Sequence, residues 1–434
     1  MRVFFISLVA LFCLLAGLSF ATETLTLNAA IRKALDTHPA LKARKENIEA
    51  ASYARKAARA NRWLKVDFAA QYTRHSDPVT VTPLKGPGLF PPFSRDIYSW
   101  RLNFTLPLYE GGRVAQEVRL KKLEGQMAKS LLRQSAEDLI ANVKQLYLQI
   151  LFLKELYQAD QEITNLLRKL YDEAKLKYQL GKIPRLDLLH FQRALQEQEA
   201  SLFTTRENLA LAKRLLALLM GEDKARFEVT GSLKGTTYPK DLKFETLVNQ
   251  RPDVRLALLN VKKAEAAMAR IKKDYYPQVS AFSSYGRQAG SGFHHDEEIW
   301  EAGLRLDLRL FDSGVRRERL REKKSLFLAA KENLLATRLK ARQEITSALT
   351  RVKTAREQIE KYKAAEEYAR SAYEREAVRY QTGAGTITEL LQTQEAWLRT
   401  KAGLLKAYYD LKSAEVAFEL ATGTISKGFL DEKD

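Results

Sequence analysis

Cysteine is nearly missing: the one copy in 434 residues is Cys13. It cannot support a disulfide framework. Proline (11) and glycine (20) are sparse, which leaves room for long uninterrupted helices. Histidine is scarce too: His38, His75, His190, His294 and His295 are the full set, and none stands at a ligand spacing with cysteine. No nucleophile elbow and no phosphate loop appears. The expectation is therefore a protein that is not an enzyme, with no cofactor and no metal. His294-His295-Asp296-Glu297-Glu298 could hold a divalent cation, but reads first as a solvated loop between strands, facing outside the cell. Beyond the N-terminus, no apolar run is long enough for a transmembrane helix.

The N-terminus itself has a clear pattern. Arg2 precedes an apolar run from Val3 to Leu18, and Ser19-Phe20-Ala21 supplies small residues at the −3 and −1 positions of a cleavage site. This predicts a secretory signal peptide over 1–21. Its removal takes Cys13 away, and Phe12 in front of Cys13 makes that thiol a poor lipid acceptor. Basic residues number 72 and acidic residues 53, a net charge of +19, or +18 without Arg2. The two signs interleave along helical stretches. The excess reads as solvated faces in contact with acidic lipid headgroups and not as a nucleic-acid surface.

Two stretches are alike. Tyr178 to Leu189 and Tyr380 to Leu391 share a tyrosine, a glycine, an acidic residue and a double leucine, 202 residues apart. Each reads as a helix stopped by glycine, a reversal, and a new helix. The likeness continues outward. Asp36 to Arg74 matches Asn249 to Arg287 at an offset of 213, and from Ile97 to Gly221 the offset is 202. The step of 11 marks an insertion before Ile97, where Ser76 to Arg95 is rich in proline and glycine and reads as a loop. The chain is expected to be a duplication: a first repeat over 22–221, a linker or side element over 222–243, a second repeat over 244–423 and an irregular tail over 424–434.

Each repeat holds two segments of period-two alternation, expected as strands at about 65–75 and 97–108, then at about 278–287 and 299–310. Tyr98, Trp100, Leu102, Phe104 and Leu106 alternate with Ser99, Arg101, Asn103 and Thr105. Strands of about 9–11 residues with one apolar face can cross a bilayer in a tilted barrel. The proline-free runs Arg113 to Leu180 and Val315 to Thr382 read as helices of roughly 100 Å. Shorter helices open at Pro39 and Pro252 and return from each tip toward Gly221 and Gly423. Together the shorter helices have the length to pair with the long ones. Four strands cannot close around an open lumen. Assembly is implied, and three copies would supply twelve strands.

The segment Leu25-Thr26-Leu27-Asn28-Ala29-Ala30 with His38-Pro39, the turn Leu106 to Gly112 with its repeat Phe311 to Gly314, and both tips occur in a telling order. In that order they resemble TolC-type outer-membrane factors of the outer membrane efflux protein family, the exit ducts of bacterial efflux and type I secretion. The resemblance spans the mature chain. It implies a mainly α fold with a transmembrane β-barrel portion: a homotrimer with a twelve-stranded barrel in the outer membrane and a long α-helical barrel in the periplasm, tapering shut at the tips. It implies a periplasmic adaptor (a membrane fusion protein), an inner-membrane pump reached through that adaptor, and outer-membrane lipid as partners.

The resemblance also assigns residues. Asp187 and Tyr380 are expected to meet between chains at the periplasmic gate, and Glu389 to line the pore. Gln392 stands where a second pore acid would be, and Gly385 where an arginine would be. The gate is thus expected to carry less charge and to open more readily. Docking of the adaptor is expected at Gly181, Ile183, Arg185, Gly383, Gly385 and Ile387. A simpler local reading of Asp187 and Glu389 is that they favour the helix N-termini electrostatically. For the whole chain the alternative is a periplasmic coiled-coil adaptor or scaffold, which would normally show one helical hairpin and a separate β domain.

Overall fold

The computed structural model describes residues 23–83, 86, 88, 90–235 and 244–430. The expected signal peptide, residues 236–243 of the linker and the last four residues of the tail lie outside the described residues. Strand β1 (Glu23–Leu25) leads to helices α1 (Leu27–Thr37) and α2 (Pro39–Ala60). Thr26 caps α1 by accepting from the Ala29 N–H at 3.3 Å. Pro39 opens α2, where a missing N–H costs no intrahelical bond.

A hairpin follows, β2 (Lys65–Thr80) and β3 (Phe93–Tyr109), then the long helix α3 (Arg113–Gln179) and the return helix α4 (Arg185–Leu219). After β4 (Phe227–Val229) the pattern recurs as α5 (Phe244–Gln250), α6 (Pro252–Lys273), β5 (Gln278–Ala289), β6 (Glu297–Asp307), α7 (Val315–Gln381) and α8 (Ile387–Ala421). Helices α3 and α7 each run 67 residues, about 100 Å at 1.5 Å per residue. Among the described residues no helix is long and apolar enough to cross a membrane.

Two expectations about strands need correction. The first hairpin extends well into the stretch read as loop. Its ladder breaks between Arg74 and Val79 and resumes with Val79 opposite Ser94. Pro78 falls in the unpaired interval, where its lack of an N–H removes no ladder bond. The last strand ends at Asp307, not near 310, because Asp307 pairs with Gln278, the first residue of β5. The residue before Gln278 is Pro277, which cannot donate to a longer ladder. Within the linker segment, β4 pairs in parallel with β1, Leu25 opposite Val229.

The chain forms two compact units. One comprises residues 43–132 and 252–339 and holds the four-stranded antiparallel sheet in the order β2-β3-β5-β6. Here α3 is tied to α6 by Glu117–Arg270 (2.9 Å) and Glu124–Lys263 (3.0 Å). The small Gly125 faces Ala51 of α2. The other unit comprises the residues up to 42, 133–251 and 340 onward. Its core includes Ile140, Val143, Ile150, Leu216 and Val229, all fully buried. The Tyr147 hydroxyl lies 2.8 Å from the Leu25 carbonyl and 2.6 Å from that of Thr230, which binds the β1–β4 pair to α3. In the same unit α3 meets α8 through Lys144–Glu419 and Gln145–Ser413, and α4 through Asp160–Thr205.

Candidate functional site

Both tips are built by helix-stop chemistry. Gly181 sits at φ +71° after α3, and Gly383 at φ +78° after α7. That left-handed conformation is strained for residues with a Cβ. At each tip the amide just past the glycine reaches back to the last turn of the helix: Lys182 N–H donates to Lys177 O (2.8 Å), and Ala384 N–H to Arg379 O (2.9 Å). These are Schellman closures, which satisfy carbonyls that the helix end would leave bare.

The restarts differ. Pro184 precedes α4 without a side-chain cap. Thr386 precedes α8 in a full capping box. The Glu389 N–H donates to Thr386 Oγ1 (3.2 Å), while the Thr386 N–H (3.1 Å) and hydroxyl (3.0 Å) both donate to Glu389 Oε2. These bonds hold the exposed Glu389 carboxyl below its ordinary pKa, the backbone N–H contributing most. The helix-start reading of Glu389 is thus realised, with the side chain still facing solvent.

The tips are joined by a shared core of Ala174, Phe191, Ile387 and Leu390, with Ile183, Tyr373 and Tyr380 packed around it. Tyr380 stands edge-on to Phe191, ring centroids 6.1 Å apart, with Lys177 Nζ 5.1 Å from its ring centre. Burial raises the Tyr380 phenol, and the negative charges of Asp187 and Glu173 raise it further.

The other residues singled out from the sequence separate by exposure. Gly181, Arg185, Gly383, Glu389 and Gln392 are exposed; Ile183, Asp187 and Gly385 are half-buried. Ile387 is 5% exposed and belongs to the core beneath the tips, not to their outer surface. It follows Thr386 at the first position of α8, and that face turns inward with Leu390 and Gln394.

Gly385 has a reason of its own. A Cβ there would collide with Glu376 Oε1 and stand 3.1 Å from Arg379 Cβ. Arg379, earlier in the chain, donates to Glu376 Oε2 (2.8 Å) and to the Ala384 carbonyl (3.2 Å). A side chain in place of Gly385 would have to push the Glu376 carboxylate aside.

Sequence reasoning missed several tip residues. Leu176, Leu180 and Leu186 are all more than half exposed on the first tip; their placement off the core-facing stripe was the available signal. Gln394 is 2% exposed, and neither amide atom has a hydrogen-bond partner. Trp397 stacks on Tyr373 (5.2 Å) and donates to Glu366 Oε1 (2.9 Å). The loop His294–Asp296 is exposed, with Asp296 paired to Arg287 at 2.7 Å. Among the described residues no group of three or more potential ligands is placed to hold a metal.

The outer membrane efflux protein family matches residues 30–222 and 245–424, nearly the whole described chain. The chain belongs to the outer membrane efflux protein family. Solved structures share the fold of this family member. CusC superposes with a TM-score of 0.80 at 18% identity, covering 91% of each chain. VceC of Vibrio cholerae gives 0.76 at 21%, covering 92% of this chain and 96% of that one. The CmeC outer membrane channel of Campylobacter jejuni gives 0.78 at 20%, covering 94% and 87%. Nodulation protein T of Rhizobium leguminosarum bv. trifolii is 21% identical over 266 residues, which span 59% of this chain and 57% of that relative's length.

Proposed function

We propose that this family member is the outer-membrane exit duct of a tripartite efflux or type I secretion system. It acts as a passive channel, closed at its tips and opened by a periplasmic adaptor. The observation that carries the reading is the sheet. Its pairing places Phe68, Trp100, Tyr285 and Trp300 on one face and Asn103, Ser284, Glu301 and Arg305 on the other. Phe68 (67%), Trp300 (71%), Leu304 (72%) and Leu306 (66%) are largely exposed, and the outer edges of β2 and β6 pair with nothing among the described residues. An apolar sheet face with open edges is unstable in water. Closing a barrel with two further copies satisfies both edges, turns the apolar face to lipid and the polar face to a lumen.

In this reading Asp187, Tyr380, Glu389 and Gln392 form the periplasmic gate. Both capping bonds to Glu389 go to Oε2, so its charge can serve the pore and the helix start together. The exposed Gly181, Arg185 and Gly383, with the leucines of the first tip, form the surface for the adaptor, which connects to an inner-membrane pump. Ile183, Gly385 and Ile387 support that surface from within.

The test is reconstitution. The mature protein should need detergent, run as a heat-sensitive trimer on a gel, and conduct ions in a planar bilayer. A monomer that stays soluble without detergent would overturn the reading. For the gate, Glu389→Gln should lower cation selectivity; unchanged selectivity removes Glu389 from the pore.

A further inference from the structure

The net positive charge is not spread evenly. The unit that holds the sheet has 33 lysines and arginines against 20 aspartates and glutamates. From residue 22 onward, the other unit has 38 against 33. The larger unit is thus nearly balanced, and the excess belongs to the sheet-bearing unit, on the segments that flank its strands.

Within that unit the two ends of the sheet differ. At the end joined by loops, two arginines are matched by acids, and Arg95 stands exposed beside them. Arg287 pairs with Asp296 at 2.7 Å and Arg74 with Asp96 at 3.4 Å, while Glu297 and Glu298 follow in the chain. At the opposite end each strand meets a helix. The register opposes Lys65 to Thr105, Tyr109 to Val279 and Gln278 to Asp307, so all four junctions share one edge of the sheet. Each junction presents an exposed aromatic: Trp63 (70%), Tyr109 (48%), Tyr276 (48%) and Phe311 (84%). Beside them stand Arg62, Lys65, Lys272 and Arg309, all exposed. None of these four has a carboxylate partner among the described residues, while at the same end Arg113 pairs with Glu110 (2.6 Å) and Arg316 with Asp312 (2.7 Å).

Aromatic rings alternating with cations along one edge are the composition of a membrane–water interface. The rings sit at headgroup depth, and the long basic side chains reach past them to phosphates. The cations are spaced along the sheet edge and do not converge on one point. That matches a plane of headgroups and not a single soluble anion. We propose that this edge is a binding collar for the headgroups of acidic phospholipids in the periplasm-facing leaflet. It sets the depth and direction of the barrel in the bilayer. The inference rests on the membrane reading of the sheet given above.

The experiment reconstitutes the full-length mature protein into bilayers and measures the association of spin-labelled phosphatidylglycerol and phosphatidylcholine with its lipid-facing shell. The wild type should prefer phosphatidylglycerol several-fold at low salt, a cation near the lipid surface being worth on the order of fivefold. Raising salt to about 0.5 M should erase most of the preference. The combined variant Arg62→Gln, Lys65→Gln, Lys272→Gln and Arg309→Gln should lose it while keeping conductance. Arg62→Lys with Arg309→Lys should retain it, which separates charge from folding. Equal association of the two lipids with the wild type overturns the collar, as does a preference untouched by both salt and the charge-removing variant. Failure to insert into either bilayer overturns the membrane reading, and the collar with it.

Discussion

The ring of Tyr380, at the end of the second long helix, stands edge-on to the ring of Phe191 on the first return helix, centroids 6.1 Å apart. The pair joins two tips whose matching residues lie 202 positions apart in the chain. Phe191 is fully buried, so it acts as the pin of the joint and Tyr380 as its half-exposed cover.

Phe191→Ala should remove that pin. Truncating a buried phenylalanine costs about 3–5 kcal/mol. The loss should appear as a lower midpoint in thermal denaturation and as higher resting conductance. A variant with wild-type stability and conductance would show that the tips are held elsewhere.

Gln394→Leu should stabilise the protein. The amide is buried with both polar atoms unpartnered, and such a group costs about 1–3 kcal/mol. Leucine keeps similar volume without the unmet bonds. A raised denaturation midpoint is the expected result, with adaptor-dependent opening made harder by the firmer tip core.

Glu389 should give the tip an acid-sensitive start. Its carboxyl is held below the usual range by the Thr386 N–H and hydroxyl. Such a group stabilises the fold above its unfolded pKa, and the contribution is lost as pH falls through the folded pKa. Protection of the Thr386 amide against hydrogen exchange should therefore weaken in acid. In Glu389→Gln that acid-dependent step should vanish. Thr386→Ala should cost about 1 kcal/mol as a lost cap.

Glu137 should behave in the opposite sense. It is 2% exposed, bonded by Arg133 and by the Ser426 hydroxyl (2.9 Å). Burial is the largest influence and raises its carboxyl above the ordinary value. A raised carboxyl contributes stability below its unfolded pKa, and that contribution is lost as pH rises through the folded pKa. Glu137→Gln should flatten this part of the pH–stability curve and match or exceed the wild type at neutral pH. Identical curves for the two proteins would refute the assignment.

Gly385→Arg should not tighten the tip. Its Cβ would displace the Glu376 carboxylate that Arg379 holds and crowd Arg379 Cβ. The expected outcome is a looser tip, read as raised basal conductance; a lowered conductance would show that the introduced guanidinium makes its own lock.

Much of this was legible in the residues themselves. The glycine stops at 181 and 383, the proline openings at 39 and 252, and the alternation through Tyr98 to Leu106 are local signals. Each depends on backbone sterics or on side-chain period within a few residues. What the tertiary structure decided depends on partners distant in the chain. The ladder between β3 and β5 leaves β2 and β6 as the open edges. The start of β5 at Gln278 ends its partner β6 at Asp307. The shared core of the tips draws Ile387 inward. Glu376 and Arg379 close the space where a side chain in place of Gly385 would go. The motif of the two tips, tyrosine–glycine–acid–leucine, marked two helix reversals; only packing showed that they meet, because burial and charge act between whichever groups the fold brings together.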